Sequence, residues 1–147
     1  MEFYEDLEVG GTASFGTYEV TREEIVTFAE QYDPQPFHTD EAAAEASMFG
    51  GLVASGWHTA SMTMRLLVDN YLSESGALGA LGVDELRWPT PVEPGDTLSV
   101  RTEVLEKSVW DDDRGRVESE ITTTTADDEV VLSMVAQVLW RRRPESK

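Results

Sequence analysis

Cysteine is absent from this 147-residue chain. That excludes disulfides, a thiol nucleophile and any metal centre built on thiolates. Lysine is nearly absent too: only Lys107 and Lys147 occur, and every other basic residue is arginine. The 11 basic residues face 29 acidic ones, for a formal net charge of -18. Nucleic-acid binding needs a basic footprint, and this chain has none. No apolar run approaches the length of roughly 20 residues that spans a membrane. The acidic start, Met1 to Asp6, lacks the basic and apolar regions of a secretory signal. Histidine occurs only at His38 and His58, with no ligand spacing such as His-Glu-x-x-His, so no metal site is expected. These absences predict a soluble, cytoplasmic protein with neither nucleic acid nor membrane as a partner.

Apolar residues make up 40% of the chain, enough for one core at this length, and residues 1–147 are read as a single domain. The acids are spread along a patterned sequence, which argues against disorder. Self-repulsion keeps such a surface soluble, and concentrated salt screens its cost. A salt-adapted, halophilic source accounts for this charge without bearing on activity.

An acidic lead-in ends at Gly10-Gly11, and Thr12 to Val20 predicts a short strand. Thr21 and Glu24 have the spacing of a capping box. Ile25, Phe28, Ala29 and Tyr32 follow at i, i+3, i+4 and i+7, giving a helix one apolar face. Asp33-Pro34 ends that helix, and Asp40 is placed to cap a short helical piece over Glu41 to Glu45. From Gly56 to about Leu72, apolar residues including Trp57, Met62, Met64, Leu66, Leu67, Val68 and Tyr71 cover most of a helix's circumference. That pattern predicts a buried helix, with Ser55 as its N-cap. Gly76, Gly79 and Gly82 predict a loop. Thereafter the period is two, along Leu98 to Val104, Val117 to Thr123 and Val130 to Trp140, with turns at Pro94-Gly95-Asp96, Asp111 to Gly115 and Asp127-Asp128. A buried helix followed by an antiparallel meander is an α+β pattern, with the sheet wrapped around the long central helix.

Chemistry concentrates between Tyr32 and Asp40. Asp33 stands five residues before His38, with Pro34 and Pro36 between them. Each proline fixes its own φ and pushes the preceding residue out of the α region, so a stiff, extended or turning loop is expected. Stiffness suits a carboxylate–imidazole pair, because acid–base chemistry needs its groups held in place. Asp33 is equally suited to a turn before proline, and His38 to a hydrogen-bonded structural role. Downstream, Phe49 to His58 is a glycine-rich approach to the long helix. It is not a phosphate loop, since the Lys and Ser/Thr of that motif are missing. His58, in the first helical turn, reads as a packed or pocket-lining residue. Arg141-Arg142-Arg143 reads as a solvated strand end, with CoA phosphates as the alternative contact.

The Asp33–His38 spacing, the Gly56 helix start, the Asp6 to Gly10 lead-in and the Pro94-Gly95-Asp96 turn together resemble the MaoC-like family of (R)-specific enoyl-CoA hydratases and dehydratases. The resemblance spans nearly the whole chain and implies a hot-dog fold. It also implies Asp33 and His38 as the catalytic pair, and Gly56 as the residue whose N–H holds the thioester carbonyl. Ser61 matches a helix serine often near the family's site, and Trp57, Phe37 and His58 are further expected substrate contacts. The commonest family motif is Asp-x-Asn-Pro-aliphatic-His. Here Pro34 fills the free position, Gln35 replaces the Asn and Phe37 replaces the aliphatic residue. The resemblance implies an acyl-CoA substrate, no cofactor, and a homodimer or higher homo-oligomer. A thioesterase and a non-catalytic acyl-thioester binding module are the competing functions. Acyl carrier protein, usually acidic, would be repelled as an alternative carrier unless salt screened the charge.

The charge balance generates one prediction. The thermal midpoint should rise between low and molar potassium chloride, because salt shortens the range of the acid–acid repulsion. An unchanged midpoint would sink the halophile reading.

Overall fold

The computed structural model describes residues 1–145. Strand β1 (Thr12–Glu19) leads into helix α1 (Arg22–Tyr32) through Thr21, whose hydroxyl accepts from the Glu24 N–H at 3.2 Å. The return half of the expected capping box is not made, because the Glu24 carboxylate accepts from the Tyr18 hydroxyl instead. Ile25 and Ala29 carry the buried face of α1, whereas Tyr32 is exposed.

The proline-rich stretch is more helical than the sequence suggests. Pro34 and Gln35 lie outside regular structure, and Pro36 then opens the one-turn helix α2 (Pro36–Thr39) at its first position. A proline there sacrifices no intrahelical hydrogen bond, and its φ is already helical. Asp40 caps α3 (Glu41–Glu45) by accepting from the Ala43 N–H. The long helix α4 (Gly56–Asn70) starts at Ser55, which accepts from the Trp57 N–H at 3.3 Å.

The sheet has five strands in the order β1-β3-β4-β5-β2, antiparallel throughout. In chain order the later strands are β2 (Ala77–Arg87), β3 (Thr97–Val109), β4 (Arg114–Thr125) and β5 (Val130–Arg141). The alternation read from the sequence sets the inward face: Leu98, Val100, Thr102 and Val104 are buried, as are Val117, Ile121 and Thr123. Against this face packs α4, through Met62, Leu66 and Leu67. Inside the contact, the Thr63 and Thr123 hydroxyls hydrogen-bond at 2.7 Å and so satisfy each other away from water. The result is the hot-dog arrangement of a sheet around a central helix.

Two expectations need correction. Burial of α4 is one-sided: Trp57, Met64 and Val68 are exposed opposite the buried stripe. The loop expected around Gly79 and Gly82 is the first half of β2. Pairing with β5 supplies the hydrogen bonds that override weak strand propensity, and the register shifts between Ala77 and Gly79 and again between Ala80 and Gly82. Because β2 is an edge strand, such irregularities disturb one partner only.

A smaller apolar cluster of Tyr4, Leu7, Val104, Val117 and Trp140 fastens the N-terminal segment to the sheet. Lys107 locks it there, donating to the carbonyls of Tyr4 at 2.9 Å and Leu7 at 2.8 Å. Arg142 and Arg143 pair with Glu5 and Asp6, which gives the arginine run a structural employment at the end of β5. Among the described residues, no helix is long and apolar enough to cross a membrane.

Candidate active site

Asp33 is the C-cap of α1, held by its N–H donating to the Ala29 carbonyl at 2.8 Å. His38 sits on α2 and is 6% exposed. Its Nδ1 lies 2.6 Å from the Val53 carbonyl oxygen. A carbonyl only accepts, so Nδ1 carries a proton, and the tautomer this contact selects is the one with its lone pair on Nε2. That Nε2 lies 3.4 Å from Asp33 Oδ2. The intervening backbone is itself tied down: the Val53 N–H donates to the Phe37 carbonyl at 3.3 Å, and the Ala54 N–H to the Val92 carbonyl at 2.9 Å.

Ser55, only 1% exposed, connects this pair to α4. Its hydroxyl donates to Asp33 Oδ2 at 2.7 Å while accepting from the Trp57 N–H. Gln35 donates to the other carboxylate oxygen at 2.6 Å. Burial pushes the Asp33 carboxyl up, but the hydrogen bonds from Gln35 and Ser55 hold it below its ordinary value. Asp33 is therefore a carboxylate at neutral pH.

Next comes the start of α4. The N–H of Gly56 has no acceptor among the described residues. An unsatisfied N–H at a helix N-terminus is a donor reinforced by the helix dipole. A Cβ at Gly56 would fall 2.5 Å from two ring carbons of Trp88, so only glycine allows the indole to lie over this turn. His38, Gly56 and Trp88 line one pocket of about 220 Å³, together with Phe37, Phe49 and Val131. One small pocket is thus lined by His38 and Gly56, with the Asp33 carboxylate beside the imidazole. That combination suits addition of water across a bond activated by a carbonyl.

The family profile described as MaoC like domain matches residues 8–127. The chain belongs to the MaoC-like family. Membership places it among hydratase- and dehydratase-type enzymes. A MaoC-like dehydratase from Rhodospirillum rubrum is 45% identical and superposes with a TM-score of 0.89, over 97% of this chain and 99% of that one. The R-hydratase PhaJ1 from Pseudomonas aeruginosa is 27% identical with a TM-score of 0.74, over 99% of this chain and 91% of that one. YdeM of Bacillus subtilis is 27% identical across 103 residues, or 70% of this chain and 73% of its own.

The other expected contacts of this MaoC-like chain are distributed unevenly. Phe37 lines the His38 pocket and meets its ring edge-on at 4.5 Å. Trp57 is 59% exposed and points its ring at Trp88 on the outer side of the helix start. Ser61 and His58 line a separate pocket of about 320 Å³ with Tyr18, Glu24 and Arg65. There the Ser61 hydroxyl is spent on the Trp57 carbonyl at 2.8 Å. His58 stacks on Phe28 at 4.7 Å, and its Nε2 is 3.8 Å from Glu24. Burial lowers the His58 pKa against the opposing charge of Glu24, so the ring is neutral and packed. This second pocket is larger, but it offers no free N–H beside an acid–base pair.

Ser55, Gln35 and Trp88 are the site residues that sequence reasoning left unassigned. Ser55 was visible only as a cap, because its bond to Asp33 crosses 22 positions of sequence. Trp88 had a signal, an aromatic directly before a proline-rich turn, but nothing local to aim it at Gly56.

The carboxylate geometry yields a prediction with a fixed sign. A folded pKa below the unfolded one adds stability above the unfolded pKa, and that stability is lost as pH falls through the folded pKa. In Ser55→Ala the Asp33 pKa should rise and the acid limb of midpoint against pH should flatten. Loss of the cap should lower the midpoint at all pH values by about 1 kcal/mol of stability. Carboxyl NMR titration of Asp33 checks this; an unmoved titration would show that Ser55 does not hold the charge.

Proposed function

We propose that the chain catalyses reversible hydration of a trans-2-enoyl-CoA to the (R)-3-hydroxyacyl-CoA. The observation that carries this reading is the approach of His38 Nε2 to Asp33 at 3.4 Å, beside the pocket that His38 and Gly56 both line. Water bridging the imidazole and the carboxylate is oriented by Asp33. As its oxygen bonds to the β-carbon, His38 Nε2 takes one of its protons. The π electrons move toward the thioester oxygen, where the Gly56 N–H and the dipole of α4 stabilise the enolate. His38 then returns the proton to the α-carbon, so the elements of one water are added and the residues are regenerated. The Val53 carbonyl keeps the imidazole in the tautomer that begins this cycle, and Asp33 stabilises the imidazolium that forms within it.

The stereochemistry follows from the same pose. Asp33 and His38 occupy one short segment and approach the enoyl group from one side. The carbonyl pinned at Gly56 prevents the planar alkene from turning over, so both new bonds form on one face. With crotonyl-CoA, signal is expected when the assay is coupled to an (R)-specific 3-hydroxyacyl-CoA dehydrogenase. Asp33→Asn and His38→Ala should each lower kcat by about a hundredfold or more while the fold survives. Signal only through the (S)-specific dehydrogenase, or near-normal turnover in either variant, would remove this mechanism. Release of free CoA thiol would instead identify a thioesterase.

The working unit in this reading is a homodimer. Among the described residues one edge of β2 has no strand beside it, and Leu78, Leu81 and Val83 are exposed on this strand. Trp57, Met64 and Val68 are also exposed, on α4. Edge-to-edge pairing of two β2 strands would hydrogen-bond the free backbone and cover these side chains. Light scattering at working salt should give twice the chain mass or a higher multiple, and a monomer would contradict the assembly.

A further inference from the structure

We infer that Trp88 sets the acyl-chain length, restricting the pocket to short enoyl groups of the butenoyl type; the inference rests on the enoyl-thioester reading above. The argument begins with the position of the indole. A Cβ at Gly56 would lie 2.5 Å from Cδ2 and Cε2 and 2.8 Å from Cε3 of Trp88. Those atoms belong to the six-membered half of the indole, so that ring covers the first turn of α4 beside its unused N–H. A thioester carbonyl bonded to Gly56 therefore places its α- and β-carbons along the Trp88 ring.

Space beyond the β-carbon is short. The chamber measures about 220 Å³, and its lining includes Val92 and Val131, which are 1% and 0% exposed. Drug-sized ligands occupy sites of about 300–1,000 Å³. Nor does the wall yield easily. Trp57 braces the outer side of the indole in an edge-on contact at 5.2 Å, and Pro89 and Pro91 stiffen the chain that follows. Val92 is fastened through its carbonyl to the Ala54 N–H. Trp88 is 39% exposed, whereas Val92 and Val131 are buried, so shortening it opens the chamber without hollowing the core.

The test compares wild type, Trp88→Phe and Trp88→Ala on crotonyl-CoA and 2-octenoyl-CoA. Calorimetric binding of butyryl-CoA and octanoyl-CoA to the same three proteins runs in parallel. Wild type should prefer the short ester by more than about tenfold in kcat/KM. Trp88→Ala should raise the octenoyl-to-crotonyl ratio by about tenfold or more, chiefly through KM, and Trp88→Phe should give an intermediate ratio. Selective butyryl-CoA binding without turnover would fault the hydratase reading and leave the size selection standing. Equal handling of both lengths by wild type overturns the inference. So does an unchanged ratio in Trp88→Phe with a normal melt, or binding of neither saturated ester.

Discussion

One hydrogen bond, from the Ser55 hydroxyl to Asp33 at 2.7 Å, joins the two halves of the candidate site. On one side are the end of α1 and the one-turn helix α2, which present the carboxylate and the imidazole. On the other is the first turn of α4, which presents the free N–H of Gly56. Neither half has a fixed position relative to the other through sequence alone. Ser55 supplies that relation while serving the ordinary purpose of capping α4, so the stability of the helix start and the ionisation of Asp33 are coupled in one side chain. A buried hydroxyl with both capacities used is costly to replace by any group that lacks one of them.

The rest of the architecture supports that junction. The sheet buries the inner stripe of α4, which fixes where Gly56 points. The Thr63–Thr123 bond resists sliding of the helix along β4 without introducing a charge into the core. The donor at the candidate site lies at the helix end, where glycine lets an aromatic ring come close. Electrostatic donors gain strength in such surroundings, because little solvent competes for them.

Much of the fold was legible in the residues. The period-two runs of β3, β4 and β5 and the capped helices α1, α3 and α4 emerge where propensity and burial agree. Legibility failed where tertiary contacts overrode local preference. Gly79 and Gly82 signal a turn by composition, yet the edge of β5 draws them into a bulged strand. Tyr18 draws the Glu24 carboxylate away from the cap its spacing predicts. Within the candidate site, Asp33 and His38 were marked by the prolines between them, and Gly56 by the family resemblance at the helix start. Ser61 was expected from its match to a family serine and His58 from its place in the first helical turn, and both line another pocket. Trp88 and Ser55 gain their significance from partners distant in sequence, which no periodicity reveals.

The fastening of the N-terminal segment has a consequence for how the chain must assemble. Thr12 on β1 pairs with Glu103 on β3, and the carbonyls of Tyr4 and Leu7 wait for Lys107. Strand β1 therefore has no partner until β3 has followed it in synthesis. Glu5 and Asp6 find their arginines only at the end of β5. Closing such long loops costs entropy before any contact rewards it, which places the protein among high-contact-order folders on the millisecond-to-second scale. During that interval the early segment is exposed to misassociation. Its acidic lead-in supplies like charges that keep nascent copies apart, so the same residues that finally lock the fold also guard it while it is incomplete.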